Sequence, residues 1–249
     1  MTGKVFLIGA GPGDAELITL KAVKALQTAD VVLLDDLVSR DLLQHAPQAR
    51  VIEVGKRGGC KSTPQHFINR MMVALAEQGQ SVARLKGGDP FLFGRGGEEM
   101  LALRGAGIPV EVIPGVTSGT AVPASIGIPV THREFTHGVT FVTGHTQNGD
   151  SPNWQALVDS RMTLVIYMGM KHLSSIVSDL LAAGVPADMP VAAIQQGTMP
   201  EQRQVISLLH MLPMAIKQEG LSSPTIIVVG EVVRLAHGTG LADALAAAA

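Results

Sequence analysis

Short β-rich runs alternate with longer segments of helical periodicity along this chain. That alternation restricts it to βαβ units, with a mainly parallel sheet expected in the first half. The candidate strands there are Lys4–Ile8, Val31–Asp35, Val51–Val54, Ser81–Lys86 and Val110–Ile113. Leu17–Thr28 and Pro64–Gln78 read as helices between them, with Pro64 in a first-turn position where its missing N–H is tolerated. From Pro114 to Thr136 the chain turns rich in Gly, Pro, Ser and Thr, which marks a domain junction, although Ser118–Ile126 is compatible with a short helix. The second half offers strands at Val139–Thr143, Leu164–Met168, Val191–Ile194 and Thr225–Gly230, and helices at Leu173–Ala183 and Leu208–Gln218. The expected fold class is α/β, built as two α/β lobes over 1–114 and 138–249 with a junction at 115–137 and a cleft between the lobes. The Ala-rich stretch after Leu241 reads as a frayed helix.

A hydrophobic content of 46% over 249 residues supplies ample core. With a net charge of −2 and 3% aromatic residues, the chain offers neither a basic face nor a stacking platform for nucleic acid. No apolar run approaches the ~20 residues that span a bilayer, and no signal peptide precedes Lys4–Ile8, so the expected location is cytoplasmic. The lone Cys60 allows neither an internal disulfide nor a multi-cysteine metal cluster. His132, His137 and His145 crowd near the junction without a metal-ligand spacing, and no metal site is expected.

Two of the candidate strands run directly into glycine loops. Ser81–Lys86 opens into the segment RLKGGDPFLFGRGGEE (Arg84–Glu99), in which Gly87 and Gly88 let the backbone turn and approach a ligand. Asp89 offers a carboxylate to hydroxyls, Phe91, Leu92 and Phe93 offer apolar contact, and Glu98 and Glu99 fall in what should be the first turn of a helix. Lys4–Ile8 runs into Gly9-Ala10-Gly11-Pro12-Gly13-Asp14, and Asp35 and Asp36 end the next strand, as in a dinucleotide-binding unit. The spacing is GxGxG rather than GxGxxG, however, Asp14 would repel a pyrophosphate, and Pro12 removes a backbone donor. Loops of this kind without phosphate chemistry suggest a ligand with ribose and adenine but no phosphate, of which S-adenosylmethionine is the common one. Taken alone, GAGPGD reads equally well as a plain tight turn.

Taken together, GAGPGD (9–14), VGKRGG (54–59), RLKGGDPFLFGRGGEE (84–99), PGVTSG (114–119), GIPVTHR (127–133), VTGH (142–145), YMGM (167–170) and SPTIIVVGEVV (223–233) resemble the uroporphyrinogen-III C-methyltransferases, a branch of the tetrapyrrole methylases. The resemblance implies the two-lobed class III methyltransferase fold with an inter-lobe active-site cleft, and a homodimer. It also implies methyl transfer from S-adenosylmethionine to carbons 2 and 7 of uroporphyrinogen III, giving precorrin-2 through precorrin-1, with S-adenosylhomocysteine as the second product. By matching position it implies cofactor contacts from Pro12, Gly87, Gly88, Asp89, Leu92, Thr117, Ser118, Met168 and Gly197. Asp35 is implied as a proton acceptor, Lys56 as a proton donor and Arg95 as the strongest catalytic candidate, with Glu98 and Arg133 on the substrate side. The substrate's eight carboxylates call for concentrated cations, and Arg57 and Lys61 join Arg95 and Arg133 for that role. Where the family usually has Asp-Arg, this chain has Asp35-Asp36.

Other readings stand beside these. Without the resemblance, Met168 would be core filling, Glu98 and Glu99 first-turn acids, and Lys56 and Arg57 a surface coat. The alternatives for the whole chain are a later precorrin methyltransferase, an NAD(P)-binding dehydrogenase and a non-catalytic tetrapyrrole carrier. No dehydrogenase or chelatase module is expected ahead of Met1.

Overall fold

A computed structural model describes residues 2–55, 63–144 and 151–236, and the chain divides into two units, 1–117 and 118–249. The first contains β1 (Val5–Gly9), α1 (Leu20–Gln27), β2 (Val31–Leu34), β3 (Arg50–Glu53), α2 (Gln65–Glu77), β4 (Val82–Lys86), α3 (Gly96–Gly105) and β5 (Val110–Ile113). These strands form one sheet in the order β3-β2-β4-β1-β5, and every pairing in it is parallel. Strands buried on both faces need apolar residues at successive positions, and the two faces divide those residues between two cores. Val5, Leu7, Val31, Leu33 and Val82 face Ile68 and Met72 of α2 and Leu103 of α3. On the other face, Ile8, Val32, Leu34, Ala83 and Leu85 pack with Ala22, Ala25 and Leu26 of α1. α1 starts where the Thr19 side chain accepts from the Ala22 amide, and its buried residues recur on one stripe.

The second unit contains α4 (Ser118–Ala124), β6 (Val139–Thr143), α5 (Trp154–Asp159), β7 (Thr163–Tyr167), α6 (Leu173–Ala182), β8 (Pro190–Gln195), β9 (Arg203–Leu208), α7 (Leu212–Glu219) and β10 (Thr225–Val229). Its sheet runs β6-β7-β10-β8-β9; β6 and β7 are parallel, and the pairings of β10 with β7 and β8, and of β8 with β9, are antiparallel. One sheet face packs on α5, α6 and α7 through Trp154, Ile176, Leu180, Leu212 and Ile216. α4 lies against β7 and β10.

The nine strands expected from the sequence all form, within about two residues at their ends, and among the described residues a tenth, β9, joins them. β9 is an edge strand with exposed Arg203 and Gln204, so it lacks the apolar run that marks the others. Its ladder to β8 takes Leu208, the first residue of the expected Leu208–Gln218 helix, and the helix itself starts at Leu212. The short α5 was also unmarked by periodicity. The division of the chain falls at Thr117/Ser118, and the Pro- and Gly-rich stretch beyond it contains α4. Among the described residues, no helix is long and apolar enough to cross a membrane.

Candidate active site

Three loops meet where β1, β4 and β5 end. β1 and β4 are in register from Val5↔Val82 to Gly9↔Lys86, so their glycine loops begin at the same level. Gly88 N–H donates to Gly11 C=O at 2.7 Å and Gly11 N–H to Gly88 C=O at 3.3 Å, which closes the two loops on one another. A Cβ on Gly9 would lie 2.5 Å from the Gly115 nitrogen, and one on Gly115 would lie 2.4 Å from the Gly88 oxygen. The loops are therefore in main-chain contact, and only glycine permits it. This is the end of a parallel sheet at which ligands bind.

Asp89 fastens this arrangement. Its Oδ1 accepts from Phe91 N–H at 2.8 Å and its Oδ2 from Gly115 N–H at 3.1 Å, so the carboxylate expected to meet hydroxyls also ties the β4 loop to the β5 loop. Asp14 accepts from Glu16 N–H at 2.9 Å and caps the turn that follows Gly13.

Beside these loops lies a buried charge cluster that the sequence reading did not single out. Arg84 and Lys86 project from the same side of β4, where the pleat places alternate residues, and both reach Glu99 of α3. Arg84 Nε donates to Glu99 Oε1 at 3.1 Å, Lys86 Nζ lies 3.2 Å from both Glu99 oxygens, and Gln65 Nε2 donates to Oε1 at 3.0 Å. Arg84, Lys86 and Glu99 are all buried. Burial pushes the Lys86 ammonium below its ordinary value, Arg84 pushes the same way, and Glu99 and Asp35 oppose them. The free branch of Arg84 then donates to Asp35 Oδ2 at 2.9 Å. Two cations inside a central parallel strand were the available signal, because such a strand is otherwise apolar and its charges require partners.

Asp35 stands just past β2, in a surface pocket that Asp36, Arg40, Glu53 and Gly55 also line. Asp36 is exposed, and its amide donates to Asp35 Oδ1 at 2.9 Å. Arg40 brings a cation to the same pocket, but its guanidinium is paired with Glu53. Arg95 sits at the N-terminal boundary of α3 with φ +60° and grips Glu98 with two bonds, Nε to Oε1 at 2.9 Å and Nη2 to Oε2 at 2.7 Å. This pairing lowers the Glu98 carboxyl and raises the Arg95 guanidinium, and both side chains remain about half exposed. Arg133 is exposed. Lys56, Arg57 and Lys61 lie outside the described residues, as do Cys60 and His145.

In the second unit, Ser118 opens α4 and Met168 follows β7 at φ +54°, with its side chain more than half exposed. Tyr167 joins them: its hydroxyl accepts from Gly119 N–H at 2.6 Å. Gly197 is buried between Gln196 and Thr198, whose φ values are +47° and +68°, and a Cβ on it would lie 2.3 Å from Val122 Cγ1 of α4. Left-handed non-glycine residues of this kind cost about 1–3 kcal/mol each and collect at functional sites. In this unit one is the expected cofactor residue Met168 itself, and two flank another, Gly197.

The residues present fit S-adenosylmethionine. Segments 9–14, 87–92 and 114–118 carry the acids Asp14 and Asp89, apolar Pro12 and Leu92, and no Lys or Arg. Main-chain polar groups, carboxylates and apolar surface suit hydroxyls, a purine and a positive charge, whereas a phosphate would find no cation on these loops. A model of the family described as Tetrapyrrole (Corrin/Porphyrin) Methylases matches residues 4–213. The chain belongs to this family. As a tetrapyrrole methylase it is similar, at 53% identity over 234 residues, to a uroporphyrinogen-III C-methyltransferase of Pseudomonas aeruginosa, with 94% of this chain and 96% of that one covered. A crystal structure of a uroporphyrin-III C-methyl transferase from Thermus thermophilus complexed with S-adenyl homocysteine matches this tetrapyrrole methylase with a TM-score of 0.79 at 40% identity, covering 93% of this chain and 99% of that one. A siroheme synthase of Azotobacter vinelandii is 49% identical over 236 residues, which make up 94% of this chain but only 51% of that protein.

Proposed function

We propose that this tetrapyrrole methylase transfers methyl groups from S-adenosylmethionine to carbons 2 and 7 of uroporphyrinogen III, giving precorrin-2 through precorrin-1. The observation that carries the reading is the junction of acid-bearing, cation-free glycine loops at the ends of β1, β4 and β5, in a chain 53% identical to a uroporphyrinogen-III C-methyltransferase along nearly its whole length. S-Adenosylmethionine supplies the methyl group on a sulfonium and leaves as S-adenosylhomocysteine.

A sulfonium methyl needs no potent nucleophile from the protein, and the pyrrole carbon is electron-rich, so the chain's own work is alignment. Holding two reactants in line supplies about 7–11 kcal/mol of a barrier. Gly87, Gly88 and Asp89 form the donor's cradle, and Pro12, Leu92, Thr117, Ser118, Met168 and Gly197 complete its contacts. The methylated carbon carries a side chain and no hydrogen, so the proton is lost from elsewhere on the macrocycle; Asp35 receives it, and Lys56 is the proton donor. Arg95, Glu98 and Arg133, with Arg57 and Lys61, hold the carboxylate-rich tetrapyrrole; Arg95 exchanges its bond to Glu98 for one to a substrate carboxylate.

Incubation with S-adenosylmethionine and uroporphyrinogen III, followed by mass spectrometry, should yield a doubly methylated tetrapyrrole. Methylation of already methylated precorrins but not of uroporphyrinogen III would move the chain to a later step, and no methylated product from either would overturn the reading. The resemblance also supports a homodimer in a cytoplasmic setting. Sedimentation equilibrium should give twice the chain mass.

A further inference from the structure

Gln202 reaches back across the turn that holds Gly197. Its side-chain Oε1 accepts from Thr198 N–H at 2.7 Å and lies 2.9 Å from the Ser125 hydroxyl, just past the end of α4. The single Ser125 hydroxyl hydrogen is shared between Gln202 Oε1 and the Val122 carbonyl, the latter at 2.7 Å. One acceptor atom therefore joins the Gln196–Thr198 turn to the helix that begins at Ser118.

The turn does not hold this shape by local preference. Gln196 and Thr198 flank Gly197 with left-handed backbones at φ +47° and +68°, an arrangement that side-chain-bearing residues avoid. Gly197 is pressed onto Val122, a branched side chain with little rotamer freedom, so the turn has no slack toward α4. What it needs is an anchor for the amide at 198, and Gln202 provides one. Tyr167 performs the matching task at the other end of α4 by accepting from Gly119 N–H, one residue before Met168. The segments of Ser118, Met168 and Gly197 are thus fastened to one helix by two side chains, neither of which was implied as a ligand contact.

We propose that Gln202 is a positioning residue for the methyl donor: it fixes the Gly197 turn against α4 and thereby sets donor affinity without touching the donor. The proposal rests on the donor contacts argued under the proposed function, and its test separates the two. S-Adenosylhomocysteine is titrated calorimetrically into the parent and into variants Gln202→Met and Gln202→Glu. Gln202→Met fills the space but cannot accept from Thr198 N–H or share the Ser125 hydroxyl hydrogen, whereas Gln202→Glu keeps an acceptor oxygen.

The Met variant should bind S-adenosylhomocysteine at least about tenfold more weakly and raise the KM for S-adenosylmethionine by a similar factor, about 1.4 kcal/mol of binding. The KM for the tetrapyrrole should stay within about twofold. The Glu variant should stay within about threefold of the parent on all three readings. If the parent itself fails to bind S-adenosylhomocysteine, the donor reading falls and the proposal with it. If the parent binds and the Met variant binds equally well, or if the Glu variant is as weak as the Met variant, Gln202 has no acceptor-dependent role. An equal rise in both KM values would mean general loosening and would equally overturn it. Should Gln202→Met not fold, Gln202→Asn, one methylene too short to bridge, is expected to show the same loss and is read by the same criteria.

Discussion

Arg84 Nη2 lies 2.9 Å from Asp35 Oδ2, joining a guanidinium sealed inside β4 to a carboxylate that keeps about a third of its surface in solvent. The bond runs outward: Arg84 is held from within by Glu99 and presents its remaining branch to Asp35. Asp35 therefore has its orientation set by a buried group, which suits the proton-acceptor role proposed for it.

Asp35 and Arg84 should consequently respond in opposite ways. Asp35→Asn, at a partly exposed site, should leave the unfolding free energy within about 1 kcal/mol and cut methyl transfer by about 10²–10⁴-fold, the usual worth of a positioned proton acceptor. Arg84→Gln should cost about 1–3 kcal/mol in urea denaturation, because Glu99 loses a buried charge-assisted hydrogen bond although Lys86 still balances its charge. An Arg84→Gln protein as stable as the parent would show that the cluster is not a stabilising unit.

Glu99 and Lys86 should be strongly coupled. Glu99→Gln leaves two buried cations without their shared carboxylate and Lys86→Met leaves Glu99 to Arg84 alone, whereas the double change removes one charge of each sign. A double-mutant cycle in denaturant should return an interaction energy of about 1–3 kcal/mol, with the double variant losing less than the sum of the singles. Additive losses would contradict the pairing.

Gly115→Ala should act through space rather than through backbone conformation. The added methyl would meet the Gly88 carbonyl oxygen at 2.4 Å, a main-chain atom that cannot turn aside. Forcing the β4 and β5 loops apart should cost about 1–3 kcal/mol and weaken S-adenosylhomocysteine binding by tenfold or more. Calorimetry against a Gly97→Ala control, where nothing lies within 4 Å of the added atom, checks this.

Arg95→Ala should reduce product formation at least about tenfold while moving the unfolding midpoint very little. Its pair with Glu98 is half exposed, and surface pairs contribute about 0–1 kcal/mol. Product formation at the parent rate would remove Arg95 from the reaction.

Acid should unsettle the first unit at Glu111. Hydrogen bonds from Lys21 and Lys4 pull its carboxyl from 4.5 to about 2. A lowered acid stabilises the fold above its unfolded value, so the contribution is complete above about pH 4.5 and disappears as pH falls toward 2. Lys21 is largely exposed and Lys4 nearly half exposed, which limits the effect to about 1 kcal/mol or less. Glu111→Gln should flatten that part of the stability profile, as read by urea titration between pH 5 and about pH 2.5.

Much of the fold was legible because apolar runs such as Val31–Leu34 and Thr225–Val229 are strands whose burial needs no polar partner. β9 and α5 were not: an edge strand with Arg203 and Gln204 in solvent gains its form from the ladder to β8, and six residues of α5 give too little periodicity to read. Within the site, the glycine loops stood out by composition. The Arg84–Glu99 bond did not, because fifteen residues separate its partners in sequence and only the packing of α3 on the sheet brings them together. Gln202 was hidden for the same reason, with its partner Ser125 in another segment altogether.

The sequence by itself determined the alternating elements, the glycine loops at the ends of β1 and β4, the exclusion of phosphate chemistry and the resemblance to the tetrapyrrole methylases. All of these reside in local pattern and side-chain type. The tertiary structure decided that Asp89 ties two loops together, that Arg84 orients Asp35, and that Gln202 and Tyr167 hold the second unit's turns to one helix. Those are pairings between distant residues, and folding fixes them because a buried charge, or a backbone amide held in a strained turn, must find its partner wherever packing supplies one.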